Sequence, residues 1–519
     1  MATTRVYEVI KDFSKGMWYG SAVTDYPVGT STLLRNVCIK QGQYIGSRAG
    51  FEKYTRDKIF VNNEMQPITG ICEYNKGSTR VLIVTAGTKV YTYDHDSGAF
   101  TDVGLTITAG HKQHFVKFYD SIIMYNGVDL PVRYNGTTWT ILASAPISPF
   151  MASYRGNLFA RDADYEDMVR WSDFADPTTW DADNDDMVSD CVTDPIIAIR
   201  KVKDTIGALA LSEEELWMLM GGSASSFAFY PLASGVGAVC SEPLQVVNGI
   251  PIWLDEDGFY TLSGSETNIN PVRFSQLDSV FTDVDMSRID KAWGITYKGG
   301  LNRNKQYLCG LTIGTGLSKN NYIFSYDFGS GGWRYDTNMP CDVFCHGKDS
   351  NGRQVIYAAS NDGWVYKMYT GTSDNGKEIA CSYISYPIYF KQMIGDKGVA
   401  LIKNTEELGV WYRSKYPSEM QIMVTSDFLG ETFPNEGDTE TITLEAGGDP
   451  PTQYELDTME SESHFLRLQY ANYFSIPLSL SGNYFQIRIT CNDPNQDWDI
   501  YQMCLKGNVV GVGVLGITA

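Results

Sequence analysis

The chain has 519 residues and a formal net charge of −21, because 41 Lys and Arg residues stand against 62 Asp and Glu residues. Binding of free nucleic acid through its phosphates needs a basic footprint, and anionic membrane surfaces also attract basic segments. The charge therefore argues against both classes of partner. The length allows about two to four ordinary domains, or one large all-β unit with a smaller one.

The N-terminal residues, the length of the apolar segments and the cysteines indicate the cellular compartment. Residues 1–13 include four charged side chains and no apolar core, so they do not resemble a secretory signal. No segment reaches the ~18 apolar residues that span a bilayer, which predicts no membrane insertion. The ten cysteines are scattered without a Cys-x-x-Cys pair, as is typical of buried thiols in a reducing compartment. We expect a soluble protein that is made in a cytoplasm and uses no cofactor.

Alternating apolar and polar residues run through the chain, and helical periodicity is nearly absent. Examples are residues 80–85, 89–93 and 484–490. Such short runs, bounded by Gly, Asn, Asp and Pro, predict an all-β protein. Residues 1–66 precede any repeated phrase, and we expect them to form strands that dock on the following domain or close it.

Two phrases then repeat. The first is a Tyr, an Asp or Asn, a polar turn with Gly and an aromatic residue, at Tyr93–Phe100, Tyr134–Trp139 and Tyr326–Trp333. This pattern predicts a β-hairpin whose last aromatic residue packs against the sheet. The second places a turn before an aromatic strand and ends at Tyr91, Trp217, Tyr260 and Tyr366.

The spacing of the strand aromatics selects the fold. Trp139, Trp180, Trp217 and Tyr260 are separated by 41, 37 and 43 residues. One four-stranded propeller blade takes ~40–45 residues. The pattern predicts a β-propeller of about six or seven blades over residues 67–371. The alternative is a pair of β-sandwiches with coincidental spacing.

After residue 371 the phrases stop, although alternating strands continue. Residues 371–377 form a polar segment typical of a linker. Residues 372–519 are therefore predicted to form a C-terminal β-sandwich-like domain.

Matches to metal-binding and nucleotide-binding motifs are weak. Asp181, Asp183 and Asp185 have the spacing of a calcium loop, but Asp186 replaces its glycine and Val192 its final glutamate. This favours a solvated acidic loop. Cys341, Cys345 and His346 are part of a zinc pattern that has no second pair, which favours buried cysteines. Glycine-rich matches at residues 371–377 and 511–516 lack the flanking residues of nucleotide sites.

No nucleophile elbow or catalytic triad is recognisable, so we predict no enzyme. A glycosidase needs only two carboxylates, and a count of acids does not exclude it. Residues 325–329 approach the Asp-box of propeller sialidases, but the Trp of that motif falls one residue late at Trp333.

The acids are unevenly distributed. Residues 162–190 contain eleven acids and one base, Arg170, and residues 416–466 contain twelve acids and no Lys or Arg. One interpretation is solubility. The other is a like-charged surface past which DNA slides without binding, because repulsion replaces counterion release. The candidate channel-lining residues are Asp162, Asp164, Asp183, Asp185 and Asp186.

A set of ordered phrases gives the chain a family resemblance. They lie at residues 13–18, 27–29, 34–37, 48–51, 154–159, 169–180 and 257–262. The residues that carry the resemblance are Gly16, Asn36, Arg48, Gly50, Trp171, Ser172, Asp176, Pro177, Trp180 and Gly258. In this order they resemble the tail nozzle (tail tubular protein B) and packaged-DNA stabilisation, or tail hub, family of short-tailed bacteriophages.

The resemblance implies a propeller subunit in a ring of about six copies below the portal and adaptor proteins. Such a ring extends the DNA channel, retains the packaged genome, conducts it during ejection and carries tail fibres or spikes. The chain is short for the larger nozzle proteins, which leaves open a distal nozzle or a simpler hub. Two other classes stay open, a propeller glycoside hydrolase and a carbohydrate-binding receptor-recognition protein.

Overall fold

The computed structural model describes residues 4–18, 26–40, 43–61, 64–77, 79–188, 194–203, 207–265, 268–298, 305–427, 438–444 and 471–512. Strands dominate this part of the chain. The α-helices found there are single turns, at Asp278–Phe281 and Lys391–Ile394. Short 3₁₀-helices lie at Ala224–Ser226, Ser275–Leu277, Met286–Lys291 and Gly395–Ala400. No helix in these ranges has the length and apolar character needed to cross a membrane.

Six four-stranded antiparallel sheets and four antiparallel strands of a ten-stranded sheet follow one another in the described residues, and we number them as blades one to seven. We name the strands of each blade a to d in the order of their pairing. Blade one is Ile68–Lys76, Thr79–Ala86, Lys89–Asp94 and Phe100–Thr106. Blade two is His114–Phe118, Ser121–Tyr125, Val132–Tyr134 and Trp139–Ile141. Blade three is Met151–Tyr154, Asn157–Arg161, Met168–Trp171 and Asp185–Met187. Blades four and five are Ile196–Lys203, Gly207–Ser212, Glu215–Met220 and Ala228–Ser234; and Gln245–Val247, Ile250–Asp255, Gly258–Ser265 and Asn268–Arg273. Blade six is Trp293–Tyr297, Gln306–Leu311, Tyr322–Asp327 and Gly332–Thr337, and blade seven is Val343–Lys348, Gln354–Ala359, Val365–Met368 and Phe51–Lys53.

The blades form a closed ring around the a strands. The a strands of blades two to seven contact one another in sequence order, and strand a of blade seven contacts strand a of blade one. The main-chain N–H of Gln113 donates to Thr69, which joins blades one and two. This arrangement is the predicted β-propeller, and its seven blades lie within the predicted range.

Blade seven is completed by an N-terminal strand. Phe51–Lys53 pairs antiparallel with strand c, with Phe51 opposite Met368 and Lys53 opposite Tyr366. The last blade thus combines three strands from the end of the propeller sequence with one strand that precedes blade one. This pairing covers an edge that would otherwise expose a row of unpaired main-chain groups.

The first repeated phrase forms the c–d hairpins of blades one, two and six. In each, the side chain of the Asp or Asn accepts main-chain N–H groups two and three residues later, as Asp327 does from Gly329 at 2.8 Å and Ser330 at 3.0 Å. The aromatic residue that follows the turn contacts the Tyr that precedes it, as Trp333 does with Tyr326 at 5.1 Å between ring centroids. Residues 325–333, the near match to an Asp-box, are therefore one of these structural turns.

Replacing Asp327 by alanine is expected to lower the free energy of unfolding by about 1–3 kcal/mol, because two N–H groups lose their acceptor in a partly buried turn. Chemical denaturation of the purified protein measures this change. Asp327→Asn is the matched control, since it keeps an acceptor oxygen, and we expect a smaller loss. Equal losses in the two variants would contradict the role of the hydrogen bonds.

A second β unit, which we call the accessory unit, is built from both ends of the chain. Its N-terminal strands are Thr4–Ile10, Gly16–Met17, Thr30–Arg35, Val37–Lys40 and Tyr44–Ser47. Its C-terminal strands are Cys381–Ser385, Leu401–Ser414, Ser418–Ser426, Asp438–Leu444, Asn472–Pro477, Ser481–Gly482, Phe485–Cys491 and Trp498–Val512. A separate two-stranded ribbon joins Phe60–Val61 to Glu64–Met65.

The accessory unit is continuous with the propeller through blade six. Gly16 pairs parallel with Trp333 on strand d of that blade, and Arg35 pairs with Tyr335. One ten-stranded sheet thereby runs from blade six to Asp438–Leu444, and Thr4–Ile10 pairs with Trp498–Val512 in the other sheet. The described residues between 4 and 47 (4–18, 26–40 and 43–47) thus belong to the accessory unit and dock on blade six, and the unit does not begin and end within residues 372–519. Alternation along a strand identifies its faces but not its partner.

Candidate functional site

The N-terminal family residues meet in a buried cluster that we call the clasp. Arg48 donates to both carboxylate oxygens of Asp374, each at 2.7 Å, and its Nε donates to the side chain of Asn36 at 2.9 Å. Arg48 and Asp374 are 1% and 4% exposed. Burial opposes the charge of Arg48, but Asp374 and the nearby Asp336 outweigh it, and the pKa of Arg48 is raised. The clasp therefore holds a buried ion pair in which each charge stabilises the other.

Asn36 and Asp336 join the clasp to blade six. Asn36 lies at a φ of 57°, and its amide donates to Thr337 at 3.0 Å and to the Ala380 carbonyl at 2.8 Å. Asp336 pairs with Arg334 and accepts the Tyr369 hydroxyl at 3.0 Å. The clasp thus connects the N-terminal segment, blade six and the chain that enters the C-terminal strands.

Two family glycines allow the main chain to approach closely at the same junction. A Cβ on Gly50 would lie 1.8 Å from the carbonyl oxygen of Ser373, within the segment predicted to be a linker. A Cβ on Gly16, which has a φ of +66°, would lie 2.6 Å from the main-chain N of Trp333. No other side chain fits either position without movement of the backbone.

The family residues of blade three build a turn between strands c and d. The hydroxyl of Ser172 accepts the N–H of Leu158 at 3.0 Å, and Trp180 donates from Nε1 to the Pro177 carbonyl at 2.9 Å. Asp176 accepts the N–H and hydroxyl of Thr178 at 2.9 and 2.7 Å. Trp171 is buried on strand c of blade three, where it packs against Phe159 of that blade and Phe227 of blade four. The remaining family residue, Gly258, begins strand c of blade five beside Arg273.

The five candidate channel-lining acids lie along the outer part of blade three. Asp162 and Asp164 belong to the b–c turn, Asp183 precedes strand d, and Asp185 and Asp186 lie on strand d. Asp164 and Asp183 are exposed and the other three are half-buried. Arg170 reaches this group, with Nη1 3.5 Å from Asp162, and it pairs in register with Asp185. The acids therefore lie away from the propeller axis, at one edge of the subunit.

Burial and like charge act on Asp186. Burial raises its pKa, and the neighbouring Asp185 raises it further. The rest of the first acidic stretch, 189–190, and residues 428–437 and 445–466 of the second lie outside the described residues.

The metal motifs do not assemble. Within the described ranges, no three His, Cys, Asp or Glu side chains are placed to hold a metal ion, and this includes Asp181, Asp183 and Asp185. Cys341 and Cys345 are buried, free thiols whose pKa values burial raises. His346 instead lies 2.6 Å from the Thr296 carbonyl through Nε2.

A shallow cavity lies in the accessory unit near its N-terminal strand. It is lined by Glu8, Tyr26, Val28, Tyr386, Pro387, Tyr389 and Lys391. Burial raises the pKa of Glu8, whose carboxylate accepts the Tyr386 hydroxyl at 3.3 Å. Glu8 is the one carboxylate in this lining, whereas glycoside hydrolysis uses a pair.

Exposed aromatic side chains lie near the acidic edge. Phe174 is 72% exposed and Tyr119 is 60% exposed, and their rings contact each other at 6.4 Å between centroids. Aromatic residues are enriched at protein interfaces. Tyr119 belongs to the a–b turn of blade two, and Asp173, which precedes Phe174, accepts the Asn184 amide at 3.3 Å. The aromatic pair therefore lies beside the start of the acidic strand d of blade three.

Sequence reasoning missed the charge of the a strands. They carry six Lys or Arg residues and one acid, Glu73. These bases are dispersed in the sequence, and only the assignment of each strand to the inner edge of its blade brings them together around the axis.

Comparisons with known proteins give matches of low sequence identity, and these are to solved structures. No family model and no curated protein matches the chain. Among solved structures, the WD40 β-propeller domain of Doa1 is 10% identical, with a TM-score of 0.40 over 62% of this chain and 96% of that one. The β-propeller domain of Myceliophteria thermophila Cps50 (Swd1) is 9% identical, with a TM-score of 0.39 over 61% and 99%. The designed protein Ika8 is 11% identical, with a TM-score of 0.37 over 65% and 96%.

Proposed function

We propose that this chain is a structural protein of a short-tailed bacteriophage virion, a tail hub or nozzle subunit. Roughly six copies form a ring below the portal and adaptor, as closed cyclic assemblies of one chain do. The ring extends the DNA channel, retains the packaged genome and conducts it during ejection. The protein is assembled in the host cytoplasm and then resides in the tail.

The location of the family residues supports this proposal most strongly. Nine of the ten lie in the clasp, in the contact of Gly16 with blade six, or in the blade-three turn, where they bind other parts of the chain. None of the ten lines the cavity beside Glu8. A resemblance that rests on scaffold residues is expected between proteins that share a shape and an assembly rather than a reaction.

The outer part of blade three and the aromatic pair beside it have two properties that a ring of subunits around DNA requires. Phe174 and Tyr119 offer exposed apolar area for contact between subunits. The nearby acids offer a surface that repels DNA phosphates, so that double-stranded DNA passes without specific binding. In this proposal the DNA follows the axis of the ring of subunits and not the axis of one propeller.

Electron microscopy of the purified full-length protein tests the proposal. We expect rings of about six copies with a central channel and a net acidic lumen that includes Asp164 and Asp183. A monomer that releases sugar from bacterial polysaccharide would contradict the proposal in favour of a glycoside hydrolase. A trimer that binds cell-surface glycan would contradict it in favour of a receptor-binding protein. A ring with a basic lumen would contradict the role of the acids.

A further inference from the structure

The a strands form a positive axial channel in an acidic protein. Their bases are Lys76, Lys117, Arg200, Lys201, Lys203 and Lys348, while the whole chain has a net charge of −21. Their one acid, Glu73, is 3% exposed and pairs with Arg80 at 2.9 Å. That carboxylate therefore does not cancel the axial charge, although Lys76 pairs with Asp120 of the neighbouring blade at 2.6 Å.

The bases are concentrated at one mouth of the channel. Each blade has four antiparallel strands, so strand d ends on the face where the next strand a begins, and all a strands run in the same direction. Lys117 is the penultimate residue of its strand, and Lys348 is the last residue of its own. Lys298 directly follows strand a of blade six. We call this end the carboxyl mouth.

Charged side chains from other blades act on His346, near this mouth. His346 lies on strand a of blade seven, and burial lowers its pKa. The positive charges of Lys117, Lys298 and Arg200, from blades two, six and four, lower it further. The contact of His346 Nε2 with the Thr296 carbonyl at 2.6 Å joins the two adjacent strands, and Lys298 and Lys348 each lie two residues further along them, at the same end of the channel.

The three cations lack carboxylate partners in the part of the chain that the structure describes, where no ion pair within 4.0 Å involves Lys117, Arg200 or Lys298. Glu242 also acts on Arg200, but it is engaged with His114 at 2.7 Å. Lys117 and Lys298 are exposed, and Arg200 is half-buried. Unpaired like charges in a confined space repel one another, and a bound anion relieves that repulsion.

We infer that the carboxyl mouth of the axial channel binds a compact anion with several phosphate groups. Arginine pairs with phosphate through two parallel hydrogen bonds, and lysine acts as a point charge, so the set matches such a ligand. The bases lie at the ends of strands that surround one axis, which suits a small anion better than a macromolecule. The site is independent of the proposed tail function because it lies on the axis of one subunit.

Calorimetric titration of the full-length protein at low salt tests the inference with two probes, inorganic triphosphate and ATP. We expect saturable binding of triphosphate at one site per chain. Lys117→Gln and Arg200→Gln are each expected to weaken binding by about tenfold or more, as the loss of one charge-assisted hydrogen bond does. Equal binding of ATP would extend the ligand class to nucleotides, and binding of triphosphate alone would restrict it to inorganic phosphates.

Lys89→Gln is the matched control. It removes the same charge from strand c of blade one, where Lys89 pairs with Asp102 at 2.5 Å, and we expect less than about a twofold change in affinity, since this pair is exposed. Thermal melting establishes that each variant is folded, and Lys298→Gln, outside the strands, replaces any variant that is not. Absence of triphosphate binding by the unmodified protein would overturn the inference. So would an equal loss of affinity in Lys89→Gln.

Discussion

Replacing Arg48 by methionine is expected to lower the free energy of unfolding by about 3–5 kcal/mol. Methionine fills part of the same volume but leaves Asp374 as a buried carboxylate without its cation, and it removes one of the two cations beside Asp336, which keeps its pair with Arg334. It also removes the hydrogen bond from Nε to Asn36 at 2.9 Å. Chemical denaturation, followed by circular dichroism and tryptophan fluorescence, measures the loss.

Lys89→Met is the matched control for Arg48→Met. Lys89 and Asp102 form a close ion pair, but each side chain is 38% exposed, and exposed pairs contribute only about 0–1 kcal/mol. We therefore expect little change in the free energy of unfolding. If Arg48→Met were as mild as this control, the clasp would not be the junction that joins the two ends of the chain.

Replacing Gly50 by alanine is expected to lower the free energy of unfolding by several kcal/mol, about as much as a severe steric change in a core. The added Cβ would lie 1.8 Å from the Ser373 oxygen and 2.9 Å from its nitrogen, and these are main-chain atoms that no side-chain rotation relieves. The backbone around residues 50 and 373 must separate. Because Gly50 directly precedes Phe51–Lys53, we also expect weaker closure of blade seven.

Two measurements check the Gly50 prediction. Denaturation measures the loss of stability, and hydrogen exchange of blade seven measures whether its edge opens locally. Gly222→Ala is the matched control, because a Cβ there meets nothing within 4 Å, and we expect a change within about 0.5 kcal/mol. Unchanged exchange in blade seven of the Gly50 variant would contradict the coupling between the clasp and ring closure.

The all-β class and the blade repeat were predictable because their signals are local. The turn at Asp327 is closed by N–H groups two and three residues away, and Trp333 packs on Tyr326 within the same hairpin. Each hairpin therefore shows its conformation in a window of about ten residues. The repetition of that window then predicts a ring of blades.

The candidate site was only partly predictable. The resemblance singled out Asn36, Arg48 and Gly50, but the sequence does not show that they form a buried junction with Asp374, which lies 326 residues from Arg48. The five acids of blade three were correctly recognised as a dense stretch, yet their position at the outer edge follows from strand order. The role of these acids as a channel lining stays a prediction.

The sequence by itself determined the strands, the hairpin turns and the excess of acids, because alternation, Asp and Gly at turns, and charge are properties of neighbouring residues. Tertiary structure alone decided which strands pair at long range. It joined Phe51–Lys53 to blade seven, assigned the described residues between 4 and 47 to the accessory unit, and collected the bases of the a strands around one axis. The physical reason is that strand pairing depends on main-chain hydrogen bonds that every residue except proline offers, so partners are selected by the packing of the whole chain.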